Sequence, residues 1–215
     1  MKYHALVPVK SLDEVKSRLA THLTLQQRQT LVLDMLHHVL QALRQSELFD
    51  HISVVSPDER VLRHARLRGV QALAEEQPGH NEALFAAAMR EKNADISGLL
   101  TISADLPLLH PGDIRAFIAQ SEKYSVVLAA SRDRTGTNAI LMRPPLVLPY
   151  LFGPNSLQRY QQVARNTGVS SIVYSSIGLG LDVDTIDDLD DVNELQVLSG
   201  EQSQSWQLTS CGSPI

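Results

Sequence analysis

The sequence predicts an α/β fold: a mostly parallel central sheet with helices on both faces, a three-layer sandwich. Three observations lead there. Short apolar runs alternate with stretches of helical periodicity over the first two-thirds of the chain, the pattern of a parallel sheet covered on both sides. One such run, Gly98-Leu99-Leu100-Thr101, leads through Ile102 and Ser103 to Asp105 and is cut off by Pro107. That places a carboxylate at the carboxyl end of a buried strand, where open α/β sheets bind ligands. Finally, 43% of the 215 residues are hydrophobic and 20% are charged, ordinary proportions for a chain that packs a sizeable core.

Each element has its own local signal. Residues 3–9 are short and apolar and are expected as a buried strand. Leu25, Val32, Met35, Leu36, Val39, Leu40 and Leu43 recur at spacings of three, four and seven, and Thr24 followed by Gln27 forms a capping box at the start of that helix. Residues 52–56 are the second strand, and Pro57 opens a short helix. Residues 70–74 form a weaker third strand. Residues 81–91 read as a helix with an Ala-rich face, for which Asn81 is the natural N-cap. Residues 99–103 are a strand, and 113–123 a helix preceded by Pro111-Gly112. Strands follow at 126–130 and at 139–142, the latter stopped by Pro144-Pro145. Residues 156–166 are a helix ended by Gly168, 172–175 a strand, and 185–198 largely helical. Residues 132–156 break the alternation and are expected to carry a substrate loop with an antiparallel element. Residues 1–198 make up one domain. Residues 199–215 are expected as a loosely held polar tail rich in Ser and Gln, which Trp206 and Leu208 could dock, a point the sequence leaves open.

Composition narrows the function. With 19 Lys and Arg against 24 Asp and Glu, the net charge is −5, so the chain lacks the basic footprint of a general nucleic-acid binder. The single cysteine, Cys211, excludes a disulfide framework and a thiolate metal site. No signal peptide is read at the amino terminus and no apolar run is long enough to span a membrane. A cytoplasmic location is expected.

Four groups of residues can carry chemistry. Asp105 suits a hard cation, Mg²⁺ being the usual one beside phosphates, although it equally suits a turn cap before a helix. Asp184 lies in Leu-Asp-Val-Asp-Thr-Ile-Asp-Asp-Leu and is the candidate partner for Asp105 on one ion. Asp187 and Asp188 fit the first turn of a helix, where negative charge meets the macrodipole. The first βα connection delivers Lys10, Lys16 and Arg18 at the end of a strand, a basic cluster suited to phosphates or simply a solvated loop. It carries neither a Walker loop nor a GxGxxG fingerprint. In the third group, Gly136 and Gly153 allow close approach of backbone to ligand. Thr137 offers a hydroxyl, and Ser156 sits at a helix N-terminus that can receive an anion. These loops also read as plain turns and a cap. Asn81, besides capping, can hydrogen-bond a base or ribose. The eight histidines show no metal spacing.

Taken together, VPVKSLDEVKSRLA, SADLPLL, GTNAILMRPP, FGPNSLQRY and GLGLDVDTIDDL resemble the CofC/FbiD family of guanylyltransferases, in matching order from about Tyr3 to Leu198. The resemblance implies a GT-A-like nucleotidyltransferase fold. It implies transfer of GMP from GTP to a small phosphorylated carboxylic acid, with Mg²⁺ and release of pyrophosphate, in the making of coenzyme F-420. Family members use 2-phospho-L-lactate, phosphoenolpyruvate or 3-phosphoglycerate, and phosphoenolpyruvate is favoured here. By resemblance, Asp105 and Asp184 are the metal aspartates, and Thr137, Gly153 and Ser156 bind the acid. Lys10, Lys16 and Arg18 form the triphosphate loop, Lys10, Lys16 and Asp105 acting as catalytic groups. His80 stands where a leucine is expected, beside the nucleotide-binding candidate Asn81. Candidate partners are the pathway's next enzyme and a second copy of the chain. The competing readings are a molybdopterin or sugar-phosphate nucleotidyltransferase, whose LAGGxSxRM-type loop is absent, and a non-catalytic nucleotide-binding module.

Overall fold

A computed structural model of the chain describes residues 2–75, 77, 79–92 and 96–199. Seven strands form one sheet: β1 (Tyr3–Pro8), β2 (Phe49–Ser56), β3 (Gln71–Ala74), β4 (Gly98–Ile102), β5 (Val126–Ala130), β6 (Thr137–Met142) and β7 (Ser171–Tyr174). Their spatial order is β3-β2-β1-β4-β6-β5-β7. All neighbours run parallel except β6, which is antiparallel to both β4 and β5. The reversal follows from the connection. Only a short turn separates β5 from β6, and a short turn can join antiparallel neighbours alone. The turn is tied by Ser131 Oγ, which accepts from the Gly136 N–H at 2.8 Å.

The helices are α1 (Leu25–Gln45), α2 (Glu59–Leu67), α3 (His80–Lys92), α4 (Pro111–Ala119), α5 (Ser156–Thr167), α6 (Ile177–Gly180) and α7 (Ile186–Ser199). Alternation along each strand divides the interior into two cores. Ala5 and Val7 of β1, with Ala139 and Leu141 of β6, join the face that packs α1, α2, α4 and α7. Leu6, Ile140 and Met142 point the other way, against α3 and α5. On α1, Met35, Leu36, Val39, Leu40 and Leu43 are all buried, and removing one such leucine side chain costs about 2–5 kcal/mol.

Several boundaries differ from the sequence reading, each for a local reason. His110, not a residue nearer Asp113, caps α4, so Pro111 and Gly112 form its first turn. The cap of α2 is Asp58, and Pro57 lies ahead of it. Asn81 is the second residue of α3 and therefore not its cap. The 3₁₀ turn Ser17–Leu19 and the four-residue α6 went unread because neither is long enough to show a period. The Thr24–Gln27 capping box and the left-handed Gly168 cap are formed as expected. No helix among the described residues is long and apolar enough to cross a membrane. The expected tail, with Trp206, Leu208 and Cys211, lies outside the described residues apart from the end of α7 at Ser199.

Candidate active site

The site is assembled at the carboxyl ends of β1 and β4, where the parallel strands deliver their loops. The loop after β1 is pinned twice. Leu12, Val15 and Leu19 are buried in the core, and the Leu12 N–H donates to Asp58 Oδ2 at 2.8 Å. Arg60 grips the same carboxylate from the other side, at 2.9 Å and 2.6 Å. These bonds hold Asp58 well below the usual carboxylate range, with the Arg60 guanidinium the largest cause. Between the pins, Lys16 adopts a left-handed φ of 48° and sends its side chain inward.

Lys16 Nζ lies 2.5 Å from Asp105 Oδ2 and 2.9 Å from Asp184 Oδ1. Asp105 sits three residues beyond β4, and Val183 N–H donates to its carbonyl at 3.2 Å, tying the two acidic segments together. Burial alone would lower the Lys16 pKa; the Asp105 and Asp184 charges outweigh it and hold the ammonium above its ordinary value. Burial likewise opposes ionisation of Asp105, and Lys16 reverses that too. The alternative role of Asp105 as a helix cap falls away, because His110 fills that role.

A third carboxylate joins the pair. Oxygens of Asp105, Asp182 and Asp184 lie within 4.8 Å of one another and could together hold a metal ion. Asp105 Oδ1 is buried and has no hydrogen-bond partner, as expected of an atom meant for a ligand the protein does not supply. An all-oxygen, all-carboxylate set suits a hard cation. Asp182 is fixed by Asn138, whose amide donates to it at 3.0 Å and to the Leu179 and Gly180 carbonyls. Burial, then the Asp105 charge, pushes Asp182 up to about 6. The sequence reading missed both residues. The signal was the Asp-Val-Asp spacing, since i and i+2 of an extended segment face one way. Asp188 is spent elsewhere: it accepts from Asp184 N–H, Thr185 N–H and the Thr185 hydroxyl at the start of α7.

Lys16, Asp105, Asn138 and Asp184 open on a cavity of about 520 Å³, bordered also by Lys10, Arg18, Thr137 and Gly153. Arg18 is exposed at its rim, with Nη1 3.8 Å from Asp184 Oδ2; Lys10 is exposed as well. A Cβ on Gly153 would meet nothing within 4 Å, but φ there is +118°, so any side chain strains the backbone. Ser156 does not reach the cavity. It is buried, and its hydroxyl donates to Thr137 Oγ1 at 3.1 Å. The expected anion site at the α5 N-terminus is already occupied, since the Ser156 and Leu157 N–H groups bond Gly153 O and Thr135 O. Gly136 is closed off by Ser131, whose Oγ would lie 2.9 Å from a Cβ.

Asn81 also stands behind the wall. Its Nδ2 donates to Phe152 O at 3.0 Å, and its Oδ1 accepts from Phe152 N–H at 2.9 Å. Both halves of the carboxamide are therefore committed to the loop before Gly153, not presented to a base or ribose. His80, beside it, lines the cavity with its ring 5.8 Å from that of Phe152. Burial, then the Lys10 charge, lowers its pKa.

The family described as guanylyl transferase, CofC-like, matches residues 3–208. The chain belongs to this CofC-like family. A phosphoenolpyruvate guanylyltransferase of Sphaerobacter thermophilus is 39% identical over 188 residues, covering 87% of this chain and 91% of its own. A 2-phospho-L-lactate guanylyltransferase of Methanothermobacter thermautotrophicus is 31% identical over 201 residues, covering 94% and 86%. Among solved structures, a Desulfovibrio desulfuricans protein assigned to the nucleotide-diphospho-sugar transferases superposes with a TM-score of 0.81. It is 17% identical, over 96% of this chain and 93% of that one, and shows that this CofC-like chain has the α/β fold of GT-A-like nucleotidyltransferases.

Proposed function

We propose that the protein transfers GMP from GTP to phosphoenolpyruvate and releases pyrophosphate, as a step in making coenzyme F-420. The observation that carries the reading is the meeting, in one cavity, of the Asp105–Asp184 pair with Asp182 beside it, three basic side chains and the Thr137–Gly153 wall. In this reaction the phosphate oxygen of the acid attacks the α-phosphorus of GTP in line, and the bond to the β-phosphate oxygen breaks. A phosphate nucleophile is already ionised at neutral pH, so no side chain need accept a proton.

Asp105, Asp182 and Asp184 would hold Mg²⁺, which when bound neutralises charge on the reacting phosphates. Lys10 and Arg18 stand at the rim, exposed, to meet the β- and γ-phosphates. Lys16 adds a third positive charge from inside. Because Ser156 donates to Thr137, the Thr137 proton is free to turn toward an anion in the cavity. Gly153 presents backbone where a side chain would take the acid's space. Asn81 serves this wall by holding Phe152. The enzyme is read as cytoplasmic, with a second copy and the next enzyme of the pathway as its protein partners.

A nucleotidyltransferase acting on a sugar phosphate or molybdopterin would share the fold but not the acid. The deciding experiment is pyrophosphate release with GTP and, in turn, phosphoenolpyruvate, 2-phospho-L-lactate and 3-phosphoglycerate. Turnover with phosphoenolpyruvate at the highest kcat/KM is the expected result. Release with none of the three would overturn the reading.

A further inference from the structure

Lys16 holds one oxygen of each aspartate that the divalent-ion reading needs. Its ammonium is 2.5 Å from Asp105 and 2.9 Å from Asp184, and its side chain is only 9% exposed. Three carboxylates within 4.8 Å repel one another and demand a cation among them. We propose that Lys16 is the resident counter-cation of this site. Its ammonium and a divalent ion exclude one another on Asp105 and Asp184, and the nucleotide's phosphates draw the lysine off as the ion enters. This deepens the guanylyltransferase reading and rests on it.

Geometry motivates the exclusion. A Mg²⁺ ion bonds carboxylate oxygens at roughly 2.1 Å. Bound to the oxygens that Lys16 holds, it would stand within roughly 5 Å of the ammonium, close enough for repulsion between the two cations beside a lysine side chain that is itself shielded from water. The lysine also has somewhere to go. The loop is fastened at Leu12 by Asp58, four residues before Lys16, and by Leu19 in the core behind it. Lys16 itself sits at a φ of 48°, a left-handed conformation uncommon for a non-glycine residue. Its compact ammonium on a four-carbon stem can exchange one anion for another, which the rigid fork of an arginine does less freely. Arg18 and Lys10 border the same cavity, so phosphates gathered there lie along the path. The loop then couples the two ligands: nucleotide favours the ion by removing its competitor, and the ion favours nucleotide by freeing a lysine.

Two measurements test this without reading turnover. Mn²⁺ binding is titrated by paramagnetic resonance of the free ion, for the wild type and Lys16→Met, with and without a non-hydrolysable GTP analogue. Without nucleotide, Lys16→Met should bind Mn²⁺ about tenfold or more tighter than the wild type, and the analogue should narrow that gap. In the wild type, competitive acetylation read by mass spectrometry should show Lys16 shielded relative to Lys10, and saturating Mg²⁺ alone should raise its labelling. Equal Mn²⁺ affinities for the two proteins overturn the proposal, and so does Lys16 labelling that ignores Mg²⁺; the labelling arm stands even if the variant misfolds. Absence of Mn²⁺ binding to both proteins with the analogue present overturns the divalent-ion reading itself. Failure of pyrophosphate release with the expected Mn²⁺ pattern intact would instead refute the choice of substrate.

Discussion

Replacing Asn81 by alanine removes two hydrogen bonds to one backbone residue, at 3.0 Å and 2.9 Å. Each is worth about 1 kcal/mol net, so the pair contributes about 2 kcal/mol. For a domain of this size that is a fall in Tm of about 4–8 °C. If the whole 2 kcal/mol held the Phe152–Gly153 segment in place for the acid, the KM for phosphoenolpyruvate would rise about thirtyfold. The Phe152 ring is also packed against His80, Tyr150 and Tyr160, with centroids 5.8–5.9 Å away. Those contacts resist opening, so thirtyfold is the upper bound and about fivefold is the least expected. Asn81→Asp should be worse than alanine: it keeps the acceptor for Phe152 N–H but sets a charged oxygen against Phe152 O. The assay is steady-state kinetics with each substrate varied separately. The KM for GTP should change less than twofold. A rise in the GTP constant as large as that for the acid would return Asn81 to the nucleotide and refute the argument.

Other perturbations separate roles in the same way. Asp184→Asn should lower kcat at least a hundredfold, on the scale of losing a metal ligand, while changing stability by less than about 1 kcal/mol, because the Asp184 side chain is 48% exposed; paired kinetics and denaturant melts check this. Ser156→Ala should act through Thr137, raising the KM for the acid about fivefold, near 1 kcal/mol, and leaving that for GTP unchanged. Asp58→Ala strands the Leu12 N–H and Arg60 and should cost about 2–3 kcal/mol, with a higher KM for GTP as the loop carrying Lys16 loosens. His64 gives a pH signature. Burial, then the Arg68 and His37 charges, lowers its pKa to about 4, and its Nε2 has no partner. Between the ordinary value near 6.5 and about 4, the unfolded chain binds more protons, so stability falls as pH drops through that window. Melts of His64→Gln should show a shallower decline than the wild type across it.

What the sequence determined by itself is what neighbours along the chain decide. The capping box at Thr24 and Gln27, the left-handed Gly168 stop and the strand at Val126–Ala130 all depend on a few adjacent residues, and all were legible. So was Asp105 as a strand-end carboxylate, because Pro107 and the apolar run before it mark where the strand leaves the sheet. The order of residues along the chain also carried the family. What only the tertiary structure decided is who meets whom across long separations. A basic loop shows in the sequence as charge, and nothing in it says that Lys16 turns inward to Asp105, 89 residues away, while Lys10 and Arg18 remain at the rim. Asn81 has the chemistry of a cap, a base ligand or a backbone clamp; the fold chose the clamp by bringing Phe152 to it from 71 residues away. Strand order was beyond reach for the same reason: the break in rhythm over residues 132–156 announced an antiparallel element, which β6 is, but not that it lies between β4 and β5. Local patterns fix dihedrals and burial. Partnership is fixed by packing, which the whole chain settles at once.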